Sequence, residues 1–249
     1  MRSDRPAVRA ALVLALAVAL VLLAHGAQAQ NVNIDFGEGQ SISLRTVQLF
    51  ILLTLLSLAP GLAIMVTCFP FMVTVLSILR QAIGVQQAPP NMMIVSLALF
   101  LTWFVMEPVF TQAWHDGVAP MIAGELDPEA AFAPTMAPFR VFMEGRVDPD
   151  TIAELTEARA RPEAAAGPVP LSILVPSFLL SEIQRGFEVG FLIFLPFLVI
   201  DLVIAAILMS MGMMMVPPAV VSLPFKLAFF VIADGWSLLA GAMVRSYAQ

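Results

Sequence analysis

The chain has 249 residues, 60% of them hydrophobic and 12% charged. A soluble domain usually carries about 25% charged residues, and no soluble core of this length could hide so much apolar surface, so part of the solvent must be lipid or neighbouring membrane subunits. The net charge of −6 argues against a nucleic-acid partner, and one cysteine allows neither an internal disulfide nor a cysteine metal cluster.

Residues 1–29 read as a cleavable signal peptide. Arg2, Arg5 and Arg9 form a basic start, and Ala10 to Ala24 is apolar but short for a span. Ala27-Gln28-Ala29 places small residues where a signal peptidase needs them, so cleavage is expected after Ala29. An uncleaved anchor helix is the alternative. Either way the chain is directed to a bacterial-type inner membrane, and cleavage leaves the mature start outside the cytoplasm.

Four apolar blocks follow. Block one, Val47 to Leu79, would be about 50 Å long as a single helix, against a hydrocarbon core of about 30 Å. Pro60-Gly61 and Pro70 predict a kinked or two-part helix, ended by Arg80. A loop from Gln81 to Asn91, with Pro89-Pro90 as its turn signal, leads to block two, Met92 to Val109. Trp103 and Trp114 suit a membrane interface. Residues 30–110 are thus expected to form a first hydrophobic helical pair.

Residues 111–175 read as an acidic periplasmic region, in which Arg140, Arg146, Arg159 and Arg161 are outnumbered by carboxylates. Prolines divide it, and Pro138 to Arg146 and Asp150 to Ala160 are predicted short helices, the second capped by Asp148 or Asp150. Arg161 to Pro170 reads as a linker.

Residues 176–249 are expected to form a second helical hairpin. Its first part, Pro176 to Glu188, is amphipathic, with Glu182, Arg185 and Glu188 spaced i, i+3, i+6 along one polar face. Block three follows from Phe187 to Met211, and block four from Val220 to Val244. The fold class expected is an all-α integral membrane protein, with about four hydrophobic helices or helical hairpins and a small acidic extracytoplasmic region. Counting crossings from an outside start puts the Arg80–Asn91 loop and the turn after Met211 on the cytoplasmic side. Arg80 agrees with that orientation, whereas the outer arginines and Arg245 do not.

Asp201 lies mid-block in PFLVIDLVI, where an aspartate costs roughly 2.5–3.5 kcal/mol on insertion scales and must face protein or water. It could serve a proton relay, which would make the chain an ion-coupled transporter, a polar contact between helices or subunits, or a pair with Lys226, the chain's lysine. Gly186 and Gly190 have the G-x-x-x-G spacing that lets helices approach closely. Trp114-His115-Asp116 reads as an interfacial surface segment, since no second histidine or cysteine stands near it in sequence. The chain carries no G-x-x-x-x-G-K-[ST], G-x-S-x-G or H-E-x-x-H motif. No catalytic residue, cofactor or metal is therefore assigned.

Between blocks three and four stands SMGMMMVPP, with Met211, Met213, Met214 and Met215 ahead of Pro217-Pro218. Methionine is flexible, uncharged and polarizable. Such a cluster at an inter-helix turn can be a conformable seal, plain buried core or a Cu(I) site, though the residues are consecutive and lack Cys or His support.

Several stretches resemble the FliP/SctR family of type III secretion export-gate proteins. They are LRQAIGVQQAPPN (Leu79–Asn91), ALFLTWFVMEPV (Ala98–Val109), PSFLLSEIQRGFEVGFLIFLPFLVIDLV (Pro176–Val203), MGMMMVPP (Met211–Pro218) and SLPFKLAFFVIADGW (Ser222–Trp236). The resemblance implies a non-enzymatic, pore-forming subunit of the flagellar branch, with the injectisome branch as the alternative. It implies a pentamer with FliQ-like and FliR-like subunits and further export-apparatus proteins at the basal body, passing unfolded flagellar substrates. Met211, Met213, Met214, Met215, Pro217 and Pro218 would form the pore gasket. Asp201 and Lys226 would hold the helices, and Glu182, Arg185 and Glu188 would contact neighbouring subunits. Phe71 stands where the family often has a basic residue, and Ser177 where alanine is usual.

Overall fold

A computed structural model describes residues 42–85, 89–159, 167–213 and 215–247. The leader with Ala29, residues 160–166 of the expected linker, and Met214 lie outside the described residues. Among the described residues every regular element is helical. In chain order these are α1 (Ile42–Met65), α2 (Phe69–Ile83), α3 (Asn91–Ala113), a π-helical turn (Trp114–Val118), α4 (Ala119–Ile122), α5 (Pro128–Glu144), α6 (Pro149–Ala158), α7 (Leu171–Ser210), α8 (Pro218–Ile232) and α9 (Gly235–Arg245). Among the described residues three stretches are long and apolar enough to cross a membrane, Thr46–Met65, Asn91–Ile122 and Leu171–Ser210. Helices α8 and α9, bent by 61° at their break, add a fourth if counted as one span. The protein is an all-α membrane protein, as its composition predicts.

The chain divides into two compact units, residues 1–54 and 55–249. Of the first, the start of α1 is described. Its Phe50, Ile51 and Leu53 are exposed, and the Thr54 hydroxyl donates to the Phe50 carbonyl at 2.7 Å, which hides its polar group within the helix.

In the second unit the breaks fall where backbone chemistry allows them. Block one is two helices, but they part at Val66–Cys68 and not at Pro60-Gly61. Pro60 lies inside α1, and apolar helices tolerate the lost hydrogen bond better than soluble ones. Pro70 occupies the first turn of α2, where its missing N–H has no helical partner to lose. Helix α2 passes Arg80 and stops at Gly84, whose φ of 86° glycine adopts without strain. Its N–H donates to the carbonyls of Arg80 at 3.3 Å and Gln81 at 3.1 Å.

Block two is longer than expected, running past Val109 through the π turn into α4. Gly117 explains why this turn can lie directly on α5. A Cβ there would fall 2.0 Å from Thr135 Oγ1 and 2.7 Å from the Thr135 backbone nitrogen. The helix predicted from Pro138 is the later part of α5, which begins at Pro128 and keeps Pro134 and Pro138 inside. Asp148 caps α6, accepting from the Asp150 N–H at 3.4 Å and the Thr151 hydroxyl at 3.2 Å.

The amphipathic segment and block three are one helix, α7, of 40 residues with Pro176 and Pro196 inside. It is about 60 Å long, twice the hydrocarbon thickness, so part of it must stand clear of lipid. The main core lies where α2 meets α7, with Phe71, Met72, Val75 and Leu79 buried alongside Phe197 and residues of α3, α8 and α9. Gly186 and Gly190 are the close approach. A Cβ on Gly190 would lie 2.3 Å from Ile78 Cδ1, and one on Gly186 would lie 3.0 Å from Thr74 Cβ. The G-x-x-x-G spacing therefore serves a contact inside the chain. A smaller core of Met143, Leu174 and Phe178 seats α5 on the start of α7. Cys68 is fully buried, and burial pushes its thiol up to about 12, opposed by a hydrogen bond with Thr102.

Candidate functional site: a methionine turn between two polar clasps

Helix α7 ends in a left-handed cap built on Gly212, with φ 74°. The Gly212 N–H donates to the Met209 carbonyl at 3.1 Å and the Met213 N–H to the Leu208 carbonyl at 3.0 Å, which satisfies two carbonyls the helix end would leave bare. Pro217 stands at the N-cap of α8 and Pro218 at its first position, where a fixed φ favours the helix. The chain thus reverses over a few residues with its backbone closed on both sides. Methionine side chains take the outward positions. Met211 is 66% exposed, Met213 42% and Met215 96%.

About 15 Å along α7 from this turn, Asp201 is clasped from α8. Lys226 Nζ lies 2.6 Å from Asp201 Oδ2, and the Ser222 hydroxyl donates to Oδ1 at 2.6 Å. Lys226 also donates to the Ala82 carbonyl at 3.0 Å. That carbonyl belongs to the last turn of α2, at the negative end of the helix dipole, so the ammonium is neutralised from two sides. The structure brings Asp201 and Lys226 together. Ser222 and the Ala82 carbonyl were not legible in the sequence. Ala82 is 144 positions from Lys226, and no local pattern announces such a pairing.

Near the other end of α7 is a second clasp. Glu182 is 0% exposed. Arg146 Nε meets its Oε1 at 3.1 Å, and the Tyr247 hydroxyl donates to Oε2. Arg146 also donates to the Ser246 carbonyl at 2.9 Å and stacks its guanidinium 4.0 Å over the Tyr247 ring. Beside it, Ser181 Oγ accepts from the Asp148 N–H at 3.0 Å and donates to the Ser177 carbonyl at 2.8 Å. Phe71, where the resemblance implies a basic residue, is buried edge-on to the Tyr247 ring at 5.7 Å.

The three residues of the expected polar face do not share an environment. Successive members are set about 60° apart around the helix. Glu182, at one edge, is turned into the chain's own interior, while Arg185 is half-buried and Glu188 is exposed, accepting from Gln184 at 3.1 Å. Arg146 and Tyr247 were missed because they lie 36 and 65 positions from Glu182. The one available hint is that Tyr247 is the chain's single tyrosine. His115 and Asp116 are exposed on the π turn. Among the described residues no group of three or more His, Cys, Asp or Glu could hold a metal ion.

The model of the FliP family matches residues 52–243, which takes in the Asp201–Lys226 clasp, the methionine turn, and Arg146 and Glu182 of the second clasp. The chain belongs to the FliP family. Curated FliP relatives align over most of its length. A flagellar biosynthetic protein FliP from Caulobacter vibrioides is 50% identical over 210 residues, covering 84% of this chain and 79% of that protein. The FliP of Agrobacterium fabrum is 47% identical over 210 residues, covering 83% and 86%. That of Bacillus subtilis is 40% identical over 203 residues, covering 81% and 92%.

Proposed function

We propose that the chain is a pore-forming subunit of the flagellar protein-export gate, spanning the cell inner membrane several times at the basal body and passing unfolded flagellar substrates. The observation that carries this reading is the methionine turn. Soft, uncharged side chains stand at a hairpin tip, and the chain leaves Met215 uncovered. One copy leaves them in open space. Several copies around an axis would bring them together as a narrow apolar ring that excludes hydrated ions yet yields to a polypeptide. Met214 would join this ring with Met211, Met213 and Met215, and Pro217 and Pro218 would set the stiff edge of the turn.

The assembly is taken as a pentamer with FliQ-like and FliR-like membrane subunits, together with further export-apparatus proteins, as the family resemblance implies. Arg185 and Glu188 are the members of the polar face left to meet a neighbouring subunit. Asp201 is structural in this account, because both of its carboxylate oxygens are engaged by Lys226 and Ser222. The names of the relatives are flagellar, which favours that branch over the injectisome. The role is that of a structural and transport component.

Purification in mild detergent, followed by mass measurement, tests the reading. A complex of several copies carrying small membrane partners is expected. A stable monomer would sink it.

A further inference from the structure

We propose that Tyr247 is a positioning residue that latches the end of α9 to α7 through its phenol on the Glu182 carboxylate, and so fixes the bend between α8 and α9. The proposal rests on the clasp geometry and stands whether or not the export reading does.

The bend needs an external hold. Asp234, at the break, has φ 47°, a left-handed conformation that strains a non-glycine residue and persists where its surroundings enforce it. Packing holds the near side. A Cβ on Gly235 would lie 2.2 Å from the Phe230 ring, and Trp236 meets that ring edge-on at 5.3 Å. Further along, an open apolar groove of about 280 Å³ between α7, α8 and α9, lined by Phe197, Phe230 and Leu239, leaves part of α9 loosely covered, while Leu239 and Met243 anchor it in the main core. The far end is fastened just past Arg245. The Tyr247 ring lies stacked on Phe142 at 5.9 Å, edge-on to Phe71 and under the Arg146 guanidinium, with its hydroxyl on Glu182.

The polar chemistry supports a latch over simple packing. Glu182 has two oxygens, one taken by Arg146 and the other by the phenol. Removing the phenol leaves an oxygen of a buried carboxylate with one partner fewer, which is unfavourable. The charged groups facing the phenol are Glu182 and Arg146, with Cys68 as a further titratable group. Burial first and the Glu182 charge second hold the phenol well above its usual range.

Two measurements on the full-length protein in detergent test the latch. The first is trypsin cleavage after Arg245, an exposed residue two positions before the phenol. Cleavage follows the population in which the segment has lifted. Tyr247→Phe keeps the ring and its stacking, and the latch predicts cleavage about tenfold faster than wild type, the ratio expected for one lost hydrogen bond to a charged group. Wild-type cleavage in that variant would mean that the ring alone holds the segment, which overturns the proposal. The second needs no variant. Tyr247 is the chain's single tyrosine, so phenolate absorbance near 295 nm reports on it alone. The latch predicts that the phenol ionises at a higher pH in the native protein than in the denatured one. Titration of the native protein near pH 10 would overturn it.

Discussion

Lys226 reaches across from α8 to place its ammonium 2.6 Å from a carboxylate oxygen of Asp201. The same nitrogen holds the carbonyl that ends α2 near Gly84, at 3.0 Å. Three helices therefore meet at one charge, a short distance from the methionine turn, and the hairpin carrying that turn is registered against the rest of the core.

Lys226→Met should leave the Asp201 carboxylate without its counter-charge and the Ala82 carbonyl without a donor. A fully buried pair broken on one side loses about 3–5 kcal/mol. The Asp201 side chain is 33% exposed, so a loss nearer about 2 kcal/mol is expected, read as a lowered unfolding midpoint of the purified protein. Lys226→Met with Asp201→Leu should be less damaging than the two single losses added together. Strictly additive losses would show that the two side chains do not interact.

The glycines should rank by what a methyl group would strike. Gly117→Ala is expected to be the worst, because the added carbon would meet the backbone of Thr135 at 2.7 Å, and backbone cannot step aside. Gly190→Ala meets the mobile tip of Ile78 and should cost about 1–3 kcal/mol. Ile78→Ala in the same chain should recover part of that. Gly61, with nothing within 4 Å, should accept alanine without loss. Thermal unfolding of the three single variants checks the order, and equal losses at Gly61 and Gly117 would contradict it.

Cys68 should resist alkylation in the folded protein. Burial removes access and pushes its thiol up to about 12, so little thiolate exists at pH 8. A maleimide should label it only after denaturation. The sign for stability follows from the same shift. Above about pH 9 the unfolded chain ionises this thiol while the folded one keeps it neutral, so its contribution to stability falls as pH rises toward about 12. Rapid labelling of native protein at pH 8 would refute this placement of Cys68.

The residues differ in how far the sequence alone disclosed their roles. The long apolar helices and the Asp148 cap follow from composition and local capping chemistry. Gly186 and Gly190 carry a recognisable spacing, and the structure supplies its partners, Thr74 and Ile78. Pro60 misleads because a proline signal calibrated on soluble helices overstates breakage in an apolar one. The separation of Pro176–Glu188 from block three fails for a related reason, since polarity changes along α7 without any change in its backbone. Glu182 shows the remaining limit. Helical spacing puts it on a face with Arg185 and Glu188, but whether that face turns inward depends on Arg146 and Tyr247, which come from distant parts of the chain.

If the methionine turn seals a protein-conducting pore, small-ion leakage through the assembled complex reads the seal itself. Met213, Met214 and Met215 would be replaced together by alanine in cells carrying the rest of the export apparatus, with membrane permeability to a small ion or dye recorded beside substrate export. A leak several-fold above wild type is expected while the complex still assembles, because shorter side chains leave a gap that water can wet. Unchanged leakage with unchanged export, in a complex shown to be intact, would contradict it.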